Sequence, residues 1–158
     1  MAFPCRTVTL CLVGLVVALG RSAQGQDPPV ATDPVIARLD ANVSAFFDEL
    51  KLNTKKAFDI LLTDSKRLRL QTKAMKTLLE RTQKIPEKYG TPHGTERIAT
   101  HRIGKDVVIL KYLYKCENHP VVWYFTYYRD QTPDAEATQV KWQVIAVRFD
   151  TDLGLLAL

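Results

Sequence analysis

The sequence predicts an α+β domain in which three helices pack on a curved four-stranded antiparallel sheet. Three observations carry this. Apolar residues recur with a 3.6-residue period from Val35 to Ile85 and with a period of two from Glu96 onward. Short turn-rich stretches, not helices, separate the period-two runs, so the strands form an antiparallel meander and not a parallel sheet with crossovers.

Before the first periodic run, residues 1–25 combine Arg6, an apolar stretch from Val8 to Leu19, and small residues at Ala23 and Gly25. That is the layout of a secretory signal peptide cut after Gly25. The stretch holds about a dozen apolar residues where a stable membrane span needs roughly 20, so the expected location is secreted or periplasmic. Residues 26–34, with three prolines, read as a flexible N-terminal tether, and residues 35–158 as a single domain. Removing the signal takes Arg6 and Arg21, two of the 22 basic residues, and none of the 17 acidic ones, so the net charge falls from +5 to +3. Such a mild charge, with export, argues against nucleic acid as a partner. Cys5 and Cys11 leave with the signal, so Cys116 stays without an internal disulfide partner and reads as structural.

Asp33 followed by Pro34 marks a helix start, a capping carboxylate before a proline that lacks only an N–H the first turn does not use. Val35, Ile36, Leu39, Val43, Phe46, Phe47 and Leu50 then form one stripe of a long amphipathic helix. Asn53 caps a short second helix carrying Ala57, Phe58, Ile60, Leu61 and Leu62. Asp64 and Ser65 punctuate it and cap a third over residues 66–85. In that third segment Leu68, Met75, Leu78, Leu79 and Ile85 gather on one side, and Lys66, Arg69, Lys73 and Lys76 on the other. A basic stripe of this kind contacts phosphates or an anionic membrane in some proteins. Here, without Trp or Phe on the helix, it reads as a solvated back.

After the loop "EKYGTPHG", the runs "ERIATHRI" and "DVVILKYLYKC" flank Gly104 and Lys105 as a hairpin. "VVWYFTYYRD" and "VKWQVIAVRFD" complete the sheet. On the third strand Val121, Trp123, Phe125 and Tyr127 share one face, Val122, Tyr124, Thr126 and Tyr128 the other. Tyr112, Trp123, Phe125 and Tyr127 are therefore candidates to line a ligand pocket under the helices. Tyr124 and Tyr128, with Trp142 on the next strand, are candidates for an interface through which two copies pair.

The order "AFFDELK", "KAFDILL", "YGTPHGTERI", "YKCENHPVVWYFTYYR" and "KWQVIAVRFDTDLGLL", over roughly Ala45 to Leu156, resembles small secreted bacterial proteins of the NTF2-like superfamily, an α+β cone. The resemblance rests on Tyr89, Gly90, Gly94, Glu96, Pro120, Trp123, Phe125, Tyr127, Tyr128, Trp142, Phe149 and Asp150. It implies a cone closed by helices, often dimeric, that either binds a small apolar ligand or protein partner or, in ketosteroid isomerases and polyketide cyclases, uses carboxylates or a His and an Asp inside the cone. No catalytic acid or base of those enzymes maps onto a position of this chain.

Other chemistry has little support in the sequence. His93, His101 and His119 fall outside any HExxH or Cys/His ligand spacing, and no phosphate loop, dinucleotide fingerprint or nucleophile elbow is present, so neither a metal nor a cofactor is expected. An isomerase reading would need Glu96 or Asp59 as the acid or base and Tyr112, Tyr124 or Tyr127 as the donor to a developing oxyanion. The expectation is a secreted or periplasmic module, without catalysis, that binds a small ligand or a protein partner through its sheet or cone. An isomerase or cyclase of the same fold is the alternative.

Overall fold

A computed structural model describes residues 33–130 and 140–154. The predicted signal peptide, most of the predicted tether and the β3/β4 loop lie outside the described residues. The described residues are α+β, with five helices preceding a four-stranded antiparallel sheet. The helices are α1 (Pro34–Leu50), α2 (Thr54–Leu61), α3 (Lys66–Leu70), α4 (Thr72–Gln83) and α5 (Ile85–Tyr89). The strands β1 (Pro92–Ile103), β2 (Val107–Cys116), β3 (Val121–Asp130) and β4 (Lys141–Asp150) lie in the order β1-β2-β3-β4.

The α1 start is the one read from the sequence. Asp33 Oδ1 accepts from the Val35 N–H at 2.9 Å, and its other oxygen pairs with Arg102 at the end of β1. The cap thus also fastens α1 to the first hairpin. At α2, Asn53 Oδ1 accepts from the Lys56 N–H at 3.0 Å. The third predicted helix, in contrast, is three. Gln71, at φ −84° and ψ 55°, ends α3 and opens α4. Lys84, at ψ −1°, turns the chain before Pro86 restarts it as α5. The apolar stripe survives this break: Leu68 and Ile85 are buried, and Met75, Leu78 and Leu79 pack against the core. Ser65 stands at the cap of α3 but makes no capping bond.

Gly90 occupies φ +86°, and a Cβ there would lie 2.7 Å from the Glu117 Cβ. Only glycine lets the turn after α5 close on the β2/β3 turn, where the Tyr89 carbonyl accepts from the Asn118 N–H at 2.9 Å. Gly104, at φ +61°, turns the β1/β2 hairpin.

Helices α1 and α2 cover one face of the sheet. Phe46 and Phe47 meet Trp123 and Phe125, and Phe58 meets Trp123, edge-on or tilted at centroid distances from 5.4 to 6.5 Å, the geometry aromatic quadrupoles prefer. On β4 the pairing shifts by one residue, with Thr126 opposite Ala146 but Tyr127 opposite Val144, so Ile145 is a bulge. That extra residue inverts the side-chain alternation of the strand's first half. Trp142 therefore joins the buried core on the helix face and not the face of Tyr124 and Tyr128.

Candidate functional site

The four pocket candidates share the helix face. Trp123 and Phe125 are fully buried, stacked on each other at 5.9 Å, with Phe149 4.9 Å from Trp123. They belong to the packed core. Tyr112 and Tyr127 are buried as well, but their hydroxyls reach the rim, where α1 meets them with polar residues. Tyr112 Oη donates to Asp40 Oδ1, Tyr127 Oη donates to Asn42 Oδ1 at 2.8 Å, and Arg97 of β1 lies 3.5 Å from Asp40. Burial, then the Asp40 carboxylate, pushes both phenols well above the ordinary tyrosine range. Asp40 and Asn42 are half-polar interruptions beside the apolar stripe of α1, and that spacing was the available signal for this cluster.

The three interface candidates do not form one exposed surface. Trp142 is on the other face for the reason given above. Tyr124 is buried between two cross-strand cations, with Lys111 Nζ 5.6 Å and Arg148 Cζ 4.3 Å from its ring centroid. Tyr128 alone of the three is exposed, at 37%. The carboxylates considered for isomerase chemistry also face outward: Asp59 is exposed on α2, and Glu96 pairs with Lys115 at 2.6 Å. His101 is exposed on β1. Cys116 is buried and reduced, its Sγ 3.9 Å from the Tyr114 carbonyl, and burial raises its thiol pKa.

An open groove of about 560 Å³ runs between α4 and β4. From α4 come Lys73, Ala74, Thr77, Leu78 and Arg81; from β4 come Val147, Arg148 and Phe149. Residues 73, 77 and 81 recur every fourth position and so share one side of the helix. The volume lies in the range of ligand sites, and the floor is apolar with a few convergent polar groups, as such sites are. Three cations edge it and no carboxylate lines it. Arg81 is held with its Cζ 4.8 Å above the Phe149 ring, and Arg148 by the Tyr124 ring. Among the described residues none of Lys73, Arg81 and Arg148 has an acidic partner within 4.0 Å. Asp150 is the acid that feels them. Its carboxylate takes the Thr151 and Asp152 N–H groups at 2.7 and 3.0 Å. Those bonds, then Arg148 and Arg81, hold its pKa below the usual carboxylate range.

The basic stripe read from the sequence divides at Gln71. Arg69 donates to the Leu62 and Thr63 carbonyls at 2.8 and 2.7 Å and so finishes α2, whereas Lys76 lies 4.0 Å from Glu80. Only Lys73 turns to the groove. Arg81 and Arg148 were not singled out in sequence, although the i, i+4 spacing of Lys73, Thr77 and Arg81 was there to be read.

Among the described residues no cluster of His, Cys, Asp and Glu is placed to hold a metal ion, and no helix is long and apolar enough to cross a membrane. No protein family, curated protein or solved structure matches the chain.

Proposed function

We propose that this chain is an exported, non-catalytic binding module of the NTF2-like type, and that it binds an amphipathic anion in the groove between α4 and β4. The observation that carries the reading is the groove's composition: an apolar floor of Ala74, Leu78, Val147 and Phe149 edged by three cations whose charge no lining carboxylate answers. Apolar burial supplies affinity there, and guanidinium groups pre-oriented on aromatic rings supply selection for negative charge. The helices-then-meander order and the layout of residues 1–25 support the family and the export.

The isomerase alternative has one observation in its favour, the Asp40 carboxylate within hydrogen-bond reach of Tyr112. In that pair the phenolic O–H already donates to the Asp40 carboxylate, and Arg97 pairs with the same carboxylate. Among the described residues no carboxylate lines the groove or lies within 4.0 Å of its cations, so binding is the better-supported function. Titration calorimetry with decanoate tests it. Decanoate binds, decyltrimethylammonium does not, and the double substitution Arg81→Gln with Arg148→Gln weakens decanoate by about tenfold or more, the worth of one or two charge-assisted hydrogen bonds. Equal binding of the two surfactants, or an unchanged affinity in the double variant, overturns the reading.

A further inference from the structure

The groove is not a hollow under one face of the sheet. Val147, Arg148 and Phe149 are consecutive in an extended strand, so their side chains point alternately to opposite faces, yet all three line it. A groove that touches both faces of one strand runs along that strand's edge. In the sheet order β4 is an edge strand, and α4 stands across from it as the second wall.

The backbone parity of β4 follows from one hydrogen bond. The Arg129 N–H donates to the Asp106 carbonyl at 2.8 Å, so the odd residues of β3 turn their amides toward β2 and the even residues toward β4. Val122, Tyr124 and Thr126 therefore bond to their partners Asp150, Arg148 and Ala146. Val147 and Phe149 direct their N–H and C=O groups to the open edge. These are two of the residues that line the groove.

We infer that the groove is a strand-addition site, and that its occupant is an extended segment of a partner protein carrying acidic side chains at alternate positions. The inference rests on the anion-binding reading of the groove and names the partner. The segment's backbone pairs with Val147 and Phe149, its apolar side chains lie on Leu78 and Phe149, and its carboxylates on the opposite face meet Arg148, with the positive charge of Lys73 and Arg81 beside them along the α4 wall. Charge complementarity selects this occupant over a second copy of the chain, which would set the same three cations against themselves in one seam. The bulge at Ile145 confines regular pairing to the half of the strand that borders the groove, since bulged edges resist strand addition.

The test uses the full chain and a short acetylated peptide of alternating valine and glutamate, with fluorescence anisotropy for affinity and amide hydrogen exchange for position. The peptide binds and slows exchange at Val147 and Phe149, while Ala146 and Arg148, already bonded to β3, are unchanged. N-methylation of alternate peptide residues, which removes the donors that face β4, costs at least about tenfold, as does replacing glutamate by lysine. The Arg81→Glu, Arg148→Glu variant reverses the preference in favour of the lysine peptide. Undiminished binding of the N-methylated or the lysine peptide to the unaltered protein overturns the inference. So does protection of Val147 and Phe149 in the free protein, whether concentration-dependent, which would mark a second copy, or not. If the peptide fails while decanoate still binds, strand addition is wrong and the anion-binding groove stands. If both fail, the reading beneath it falls too.

Discussion

The two sides of β4 are packed on opposite terms. Toward β3, Phe149 closes on Trp123 beneath α1 and α2, where ring meets ring and the largest side chains have no exposure. Toward α4, the same Phe149 has a guanidinium over its ring and an open groove beside it. The difference lies in what the helices bring. Across its seam α1 offers Phe46 and Phe47, whereas α4 brings Leu78 together with Ala74 and Thr77 between two cations, too little apolar bulk to fill the space beside the strand. One helix makes a core with the sheet, and the other stands off from it. Stability resides in the first region, and the proposed recognition in the second.

The largest way to break that comparison is alkaline pH. Burial raises the Tyr114 phenol from 10.0 to about 12, and burial with the Asp40 carboxylate raises Tyr112 and Tyr127 further. A phenol whose pKa is higher folded than unfolded contributes stability in full below pH 10 and loses it as pH rises through the folded value. The fold therefore weakens progressively above pH 10, and the tyrosinate absorbance of these three residues appears together with loss of circular dichroism. Tyr127→Phe makes the loss shallower, whereas Arg148→Gln leaves its pH dependence unchanged. Complete tyrosine ionisation with the dichroism intact would contradict the packing described for the rim.

Next in size is the aromatic seam itself. Trp123→Ala removes a fully buried ring in contact with Phe46, Phe125 and Phe149, and should cost about 3–5 kcal/mol, a large share of a small domain's stability. Arg81→Gln and Arg148→Gln, on the groove side, should stay within about 0.5 kcal/mol in the same denaturant titration. A groove substitution as costly as the core one would mean that α4 is fastened to β4 by those cations and that the two sides are not different in kind.

Particular residues explain how far the sequence could be read. Asp33, Pro34 and Asn53 announced their helix starts because capping is local chemistry. The inner face of β3 was legible because strand parity is strict, and Trp123, Phe125 and Tyr127 fall where alternation puts them. Trp142 was assigned to the opposite face because one bulged residue, Ile145, inverts parity, and nothing in the composition of "KWQVIAVRFD" marks it. The break at Gln71 was hidden for a related reason: the apolar stripe from Leu68 to Ile85 runs on across it, so periodicity alone reports one helix where there are three. The groove was the least legible feature. It depends on the distance between a helix and a strand some 70 residues apart in the chain, Arg81 and Arg148 among them, which no local pattern encodes.

The smallest expected effect has the sharpest sign. Read as a cap, Ser65 should contribute about 1 kcal/mol to α3, and Ser65→Ala should lose it. In the structure Ser65 Oγ is buried without a hydrogen-bond partner among the described residues and makes no bond to the first turn of α3. Its backbone already does the local work, its N–H donating to the Leu62 carbonyl at 2.9 Å and its carbonyl accepting from the Arg69 N–H at 3.3 Å. An unpaired buried hydroxyl is a cost that alanine removes, and the methyl group left behind fits the same space. Ser65→Ala should therefore leave stability unchanged or raise it by up to about 1 kcal/mol, measured as a shift in the denaturant midpoint at constant slope. A loss of the size a cap supplies would show that the hydroxyl does reach an α3 amide, and Ser65 would then cap α3 as the sequence suggested.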